Sequence, residues 1–446
     1  MYDHLTKTRK ASISKTARND NSCGWIETLP ARTDFPQLQQ VKKADWVVVG
    51  GGFSGLAAAR RLAELYPETS IALIDAQRVG ECSAGRNSGF VVDTSPGRVG
   101  DDEAMKSKAL ANYLINKAGL DYLRETVRRH VIECDWDDNG KFHCAAEPRH
   151  AKDLNNFEKV LQELGVPYEW MKGGQLEQRL GIPYYHTGLW TKQAALVQPA
   201  ALARGLLQTL PENVSIYENT RVRQIDYGQP VHLLTEHGTL TATNVVVATN
   251  GLLGEFGLFK GRLMHLTLTA SLTRPLTTDE RATIGDPAPW GILSAHRMGA
   301  TIRYTNDHRI MMRNTAEFWP KLAMNEADLA KRRARHMQAI RTRWPMLPDL
   351  GIEHTWSGVV AVSRNFSSVF AQPLPNVLAV GGFNAGGIAR GTGLAKLLID
   401  QYAGVPSAAL SEAQKLAPPS VLPPRPLLDI GAGLNIARMG LGRGKE

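Results

Sequence analysis

The chain is poor in cysteine: 446 residues carry four, Cys23, Cys82, Cys134 and Cys144. None is spaced as CxxC and none falls in a histidine cluster, so no metal site is expected. The pattern suits reduced thiols in a cytoplasmic protein. Long apolar runs are also missing. Nothing approaches the roughly 20 residues that cross a bilayer, so no membrane span is expected. The opening stretch MYDHLTKTRKASISKTARND is basic but has no apolar segment behind it, and does not read as a secretory signal. Neither a catalytic triad nor an internal repeat is visible. What remains is ordinary globular composition, 43% hydrophobic and 21% charged, over a length sufficient for two domains.

Charge of one sign is in excess, at +9. The densest run is Lys331-Arg332-Arg333-Ala334-Arg335-His336, followed by Arg341 and Arg343. Met337, Ile340 and Trp344 recur there at helical spacing, with Asn325 as a candidate N-cap. The solvated face of an amphipathic helix accounts for the run, and no nucleic-acid partner is expected.

The informative segment is residues 41–93. Trp46 to Val49 is a buried-strand pattern, and Gly50-Gly51-Gly52-Phe53-Ser54-Gly55 follows as G-x-G-x-x-G. A helix is expected over Ala57 to Tyr66, then a second buried strand, Ile71 to Ile74, ending on Asp75. The acid stands about 20 residues past the last glycine, which completes the dinucleotide fingerprint. Gly50 permits a tight turn, Gly52 admits a pyrophosphate to the backbone, and Gly55 lets helix pack on strand. Free N–H groups at the helix start favour an anion, and Asp75 can accept from a ribose diol.

Further helices are expected at Asp101 to His130, Asn155 to Leu164 and Pro199 to Leu210. Short strands follow from Val214 to Thr249. Leu263 to Thr273, Ala300 to Tyr304 and Arg309 to Arg313 suit a second, antiparallel sheet. Val377 to Val380 then runs into the glycine-rich stretch from Gly381 to Gly393 and another helix. Two dinucleotide-type elements at opposite ends of the chain imply one domain built from distant segments. An extended FAD, gripped along its length, needs both. The expected fold class is α/β with an α+β second domain: a discontinuous Rossmann-like FAD-binding domain (41–103, 195–256, 355–403) and an inserted antiparallel-sheet substrate domain (104–194, 257–354). Residues 1–40 read as an extended arm, and the proline-rich tail, 404–446, as a wrap over the surface.

Taken together, VVVGGGFSGLAAA, CSAGRNSGF, QPAALARGLL, ENTRV, NVVVATNG, WSG and NVLAVGGFNAGGIARGTGLA resemble the D-amino-acid-oxidase-like FAD-dependent oxidoreductases, in the γ-glutamylputrescine oxidase-like branch. The resemblance implies that Ser83, Arg86, Asn87 and Ser88, with Ala84 and Gly85, lie along the flavin ring and pyrophosphate. It places Phe53 and Ser54 at the phosphates, and Ala76 and Gln77 beside Asp75. Val222, Ala248 and Thr249 border the adenosine, and Gly382, Phe383, Gly387 and Ile388 border the flavin. The chain departs from relatives in three places. Ala389, with Arg390 beside it, stands where sarcosine-oxidase-like members carry a lysine. No cysteine lies near Ala361–Ser363 and no histidine replaces Arg86. The FAD is therefore expected to be non-covalent, with Cys82 the thiol nearest the flavin loop.

Amine oxidation by a flavin asks little of the protein beyond a neutral substrate nitrogen and a water-excluding site. His265, Trp290, Arg303, Tyr304 and Arg313 are candidate lining residues, with Tyr304, Arg303 and His265 the catalytic candidates. Strand alternation lets only one of Arg303 and Tyr304 face the flavin, and Tyr304 suits an amine better. The expected activity is oxidation of a C–N bond in a small-molecule amine, with oxygen or a quinone as electron acceptor. The alternatives are an amino-acid oxidase or dehydrogenase of the same fold and an RNA-modifying flavoprotein.

Overall fold

The computed structural model describes residues 10–20, 22–94, 103–319 and 321–446. Its first sheet has a parallel core in the order Val377–Gly381, Thr239–Val247, Val41–Val49, Ile71–Ile74, Val214–Tyr217. The central strand shows why the run is apolar throughout. Trp46 and Val48 enter the core on the helical side, and Val47 and Val49 enter the opposite core. A strand buried on both faces has no polar side to show. Helices Phe53–Leu65, Glu103–Arg129 and Ala389–Ala403 cover one face. On the other face lies the antiparallel ribbon Val222–Asp226, Val231–Thr235 and Thr239–Ala242. The expected strands over Thr239–Thr243 and Asn244–Val247 are one continuous strand that serves both ribbon and parallel core.

Eight strands form the second sheet, in the order Ile352–Val362, Met264–Thr273, Ile310–Glu317, Thr301–Tyr304, Trp290–Ser294, Lys141–Ala145, Thr187–Thr191, Tyr168–Lys172. It is antiparallel except where Trp290–Ser294 runs parallel to Lys141–Ala145. One face packs Ile302, Tyr304, Ile310 and Met312 against Ile340 and Trp344 at the end of helix Glu326–Arg343. The other face looks toward the first sheet. The basic run is held within the molecule at several points: Arg332 pairs with Glu317, Arg333 donates to the carbonyls of Ile352 and Glu353, and Arg343 stacks on Tyr184. No helix among the described residues is long and apolar enough to cross a membrane.

The strand and helix positions depart from the expected boundaries. Strand Ile352–Val362 pairs along its length with Met264–Thr273, so the second sheet runs past residue 354 to Val362. Helix Glu103–Arg129, expected with the substrate domain, buries Ile115, Leu120, Leu123 and Val127 in the first domain's core. The extended arm, residues 1–40, is anchored in its described part. Lys10–Ser12 adds to the first sheet, and Cys23 and Trp25 are buried. The tail is more than a wrap: helix Ala408–Gln414 seats Leu410 and Ala413 in the first core.

Helix Glu103–Arg129 crosses helix Ala389–Ala403 through two glycines. A Cβ at Gly119 would overlap the Ala389 carbonyl, and one at Gly393 the Ile115 carbonyl. Gly393→Val is expected to lower stability by about 1–3 kcal/mol, because the helices must separate to admit it. Urea unfolding measures the change, and a variant as stable as the parent would mean the crossing is not close-packed.

Candidate active site

Between the two sheets lies a cavity of about 1430 Å³. A single small-ligand pocket occupies roughly 300–1,000 Å³, so this one has room for an extended cofactor and a substrate together. At its inner end is the glycine turn. Gly50 sits at φ +106, a conformation that glycine alone adopts readily, and Gly52 has open space where a Cβ would project. A Cβ at Gly55 would overlap the Gly50 carbonyl, so helix Phe53–Leu65 can start this close to the strand only with glycine there. That helix begins at Gly52 with no side-chain cap, leaving its first N–H groups for a ligand.

Asp75 closes this end. Its carboxylate accepts from Gly51 N at 2.7 Å and Gln77 N at 2.8 Å. Burial raises its pKa to about 6, and Glu218 adds to the rise. Thr249 Oγ1 is buried at the same cavity with no hydrogen-bond partner. An acidic acceptor, an orphan hydroxyl and uncapped amides along one cleft fit the ribose and pyrophosphate of a dinucleotide.

Of the residues expected to hold FAD, Gly50, Gly52, Phe53, Ser54, Asp75, Ala76, Ser83, Ala84, Arg86, Asn87, Ser88, Val222, Ala248, Thr249, Phe383, Gly387 and Ile388 line the cavity. Gly55, Gln77, Gly85 and Gly382 stand behind the wall. Gln77 binds the arm through the Ala17 carbonyl and accepts from Cys82 Sγ. A Cβ at Gly85 would overlap the Gly80 carbonyl, and Gly382 turns at φ +67. Arg86 is not free for an anion: Asp20 neutralises it, and it also donates to the carbonyls of Ser22 and Ser357. Cys82 lines the cavity, with its thiol pushed well up by burial.

The substrate-side candidates separate by strand face. Thr301 pairs with Arg313 and Arg303 with Met311, all on the face toward the first sheet. Tyr304 points the other way. It lies in the outer core near Trp290, its hydroxyl 3.1 Å from His308 Nδ1. Trp290 is core as well, stacked on Trp344. The preference for Tyr304 is therefore corrected by the register. Arg303 has the right face but lies beyond the cavity. Its guanidinium sits over the Trp25 ring and donates to the carbonyls of Ser88 and Val197. It braces the loop 83–89 from behind. His265 does line the cavity, beside Gly251, and burial with Lys15 and Arg425 nearby lowers its pKa and keeps the ring neutral. Arg313 also lines the cavity.

Several wall segments were not read as such in the sequence. Lys15 to Arg18 of the arm, Asn112 and Asn116 of helix Glu103–Arg129, and one side of helix Leu427–Gly440 complete the enclosure. The apolar stretch LLDIGAGLNIARMG after the tail prolines is the one signal for the last of these.

A family model described as DAO, FAD dependent oxidoreductase, matches residues 45–401. The probable oxidoreductase OrdL of Rhizobium meliloti (strain 1021) is 27% identical over 379 residues, covering 82% of this chain and 84% of that one. The gamma-glutamylputrescine oxidoreductase of Escherichia coli (strain K12) is 22% identical, covering 79% and 82%. Among solved structures, glycine oxidase from Geobacillus kaustophilus superposes with a TM-score of 0.68 at 17% identity, over 82% of this chain and 96% of that one.

Ionised Asp75 is the stronger acceptor for ribose hydroxyls. FAD affinity is therefore expected to rise as pH rises through about 6 and to level off above it. In the flavin-free chain the sign reverses. A carboxyl whose folded pKa is raised favours folding at low pH, and that contribution is lost between about 4 and the folded value. Asp75→Ala is expected to weaken FAD binding by about 1.5–3 kcal/mol and to flatten the profile. Fluorescence titration of the apoprotein measures both, and a flat parent profile would remove Asp75 from the ribose.

Tyr304→Phe is expected to cost less than about 1.5 kcal/mol of stability and to leave the rate of flavin reduction unchanged. Arg303→Ala is expected to cost roughly 2–4 kcal/mol, since it empties a buried slot and strands two carbonyls. Thermal unfolding and anaerobic stopped-flow separate the two effects. A tenfold slower reduction in the tyrosine variant would return that ring to the site.

Proposed function

The chain belongs to the DAO family of FAD dependent oxidoreductases, and we propose that it oxidises the carbon–nitrogen bond of a small amine, with its FAD bound non-covalently. The observation that carries this reading is the apolar wall of the cavity beyond the glycine turn. Its walls there include Val359, Val360, Phe383 and Ile388, with His265 the one lining histidine among the described residues, held neutral. Such a wall suits an uncharged amine and offers it no competing nucleophile.

Bound FAD would supply the two-electron acceptor for oxidising an amine's C–N bond to a C=N bond, which water would cleave to a carbonyl and an amine. The protein's part is placement. Phe383 and Ile388 pack one side of the substrate space. Helix Ala389–Ala403 begins at Ile388 without a side-chain cap, so its positive end favours negative charge at that wall. His265 is the side chain available to receive a proton near neutral pH. The relationship to gamma-glutamylputrescine oxidoreductase supports an amine over other donors. Among the described residues, Cys82 is the one thiol lining the cavity. Its hydrogen bond to Gln77 and its raised pKa support a cofactor that is not tethered. Oxygen or a quinone would reoxidise the cofactor.

Anaerobic mixing of the yellow holoprotein with matched amines, amino acids and 2-hydroxy acids tests the reading. Amines are expected to bleach the flavin and to release an aldehyde or ketone. Bleaching by 2-hydroxy acids alone would replace the reaction class. Acid precipitation is expected to leave the flavin in the supernatant, and flavin retained on the chain would overturn the non-covalent assignment.

A further inference from the structure

Helix Leu427–Gly440 has two working faces. Leu428, Ala432, Asn435, Ile436 and Met439 line the cavity. Leu427, Ile430 and Leu434, at i, i+3 and i+7, share the other face, where they are 63%, 58% and 67% exposed. Arg438, four residues after Leu434, continues that stripe and is exposed, and exposed Leu441 follows the helix end. The stripe carries no acid. Asp429, the one acid of the helix, pairs with Arg425 at 3.3 Å. Gly431, Gly433 and Gly440 weaken the helix on its own, so its stability depends on what its faces touch.

The stripe adjoins the place where the cavity opens. Residues that both line the cavity and are exposed mark that rim: Met105, Phe366 and Leu427 are apolar, and Lys108, Arg297 and Arg364 are cationic. No acid belongs to the rim among the described residues, since the two acids of the lining, Asp75 and Asp93, are not exposed. Nor do Lys108, Arg297 and Arg364 form an ion pair among the described residues. The turn that carries Arg364 and Phe366 is tied to the tail. Asn365 Nδ2 donates to the Pro418 carbonyl at 3.0 Å, and its Oδ1 accepts from Ser420 N at 3.1 Å.

We propose that the rim and the stripe seat the protein on an anionic membrane surface, with helix Leu427–Gly440 lying in the headgroup layer and the cavity opening toward the lipid. An apolar stripe that includes an arginine, bordered by unpaired cations, is the pattern of a helix that lies in an interface. Leucine and isoleucine enter the acyl boundary while the cations meet lipid phosphates. A second copy of the chain fits less well, because an isologous contact brings the same cations together with no acid on the stripe to meet them. The helix lies beyond the family-matched segment 45–401, so the docking surface belongs to this chain's tail. It concerns where the cavity opens, whichever donor is oxidised inside.

Flotation of the holoprotein on vesicles tests the proposal. Vesicles of equal parts phosphatidylcholine and phosphatidylglycerol are expected to carry the protein, and phosphatidylcholine alone to bind it at least about tenfold more weakly. Added salt is expected to weaken the binding. Ile430→Glu combined with Leu434→Glu is expected to lower the partition coefficient about a hundredfold, and Arg438→Ala about fivefold. All three side chains are exposed and lie outside the cavity lining, so flavin content and unfolding midpoint are expected to match the parent, which separates lost docking from lost folding. Failure of the parent to float, equal binding to both vesicle types, or a double variant that floats like the parent would each overturn the proposal. Light scattering covers the other occupant: a parent dimer that the double variant splits would make the stripe an interface between copies and overturn membrane docking. Amines that leave the flavin unreduced would sink the amine reading and leave this result standing.

Discussion

Arg86 and Asp20 meet at the seam of the two sheets, both nearly inaccessible to solvent. Breaking one half of a buried pair strands a charge, so this contact commits three distant segments at once. Asp20 also accepts from Ser357 N and Oγ, and Arg86 donates to the Ser357 carbonyl. The arm, the loop after the glycine turn and strand Ile352–Val362 are thereby held in one arrangement. Trp356 Nε1 donates to the Arg86 carbonyl, and Trp25 Nε1 to that of Asn87. The backbone acceptors of this part of the cavity wall are met from behind by buried donors.

That bracing explains how Arg303 is used. A cation pointing into the cavity from its position would compete with an amine. Instead it slides under the loop, stacks on Trp25 and satisfies two carbonyls. Arg313, on the neighbouring strand opposite Thr301, is half-buried at the cavity wall and donates to Thr301 Oγ1. The same sheet face thus supplies one guanidinium spent on backbone carbonyls and one at the cavity wall.

The tail adds an outer wall to an otherwise shared framework. Helix Leu427–Gly440 is apolar on nearly every side: Ala432 is buried, while Leu427, Ile430 and Leu434 are exposed. Periodicity cannot assign a face to a helix with no polar stripe, so the apolar stretch signals a helix but not which side it turns to the cavity. How the arm is anchored was illegible for a similar reason. Polar, proline-containing composition signals a lack of local periodicity, which is compatible both with a free arm and with a strand and short helix held by distant partners.

What the sequence determined by itself is local. G-x-G-x-x-G between an apolar strand and a helix, with Asp75 following, dictates a tight turn, an uncapped helix start and an acid beside it, because only glycine tolerates the backbone geometry there. The buried strands were legible because alternation and β-branched runs report burial directly. What tertiary structure decided is which side chains reach the cavity. Alternation established that Arg303 and Tyr304 point apart, but not which face meets the first sheet; that followed from Trp25, Ser88 and Val197 converging from elsewhere in the chain. Asp20's capture of Arg86 and the glycine crossing at Gly119 and Gly393 have the same origin. Each is a contact between residues far apart in the chain, and no periodicity or spacing encodes where such partners meet.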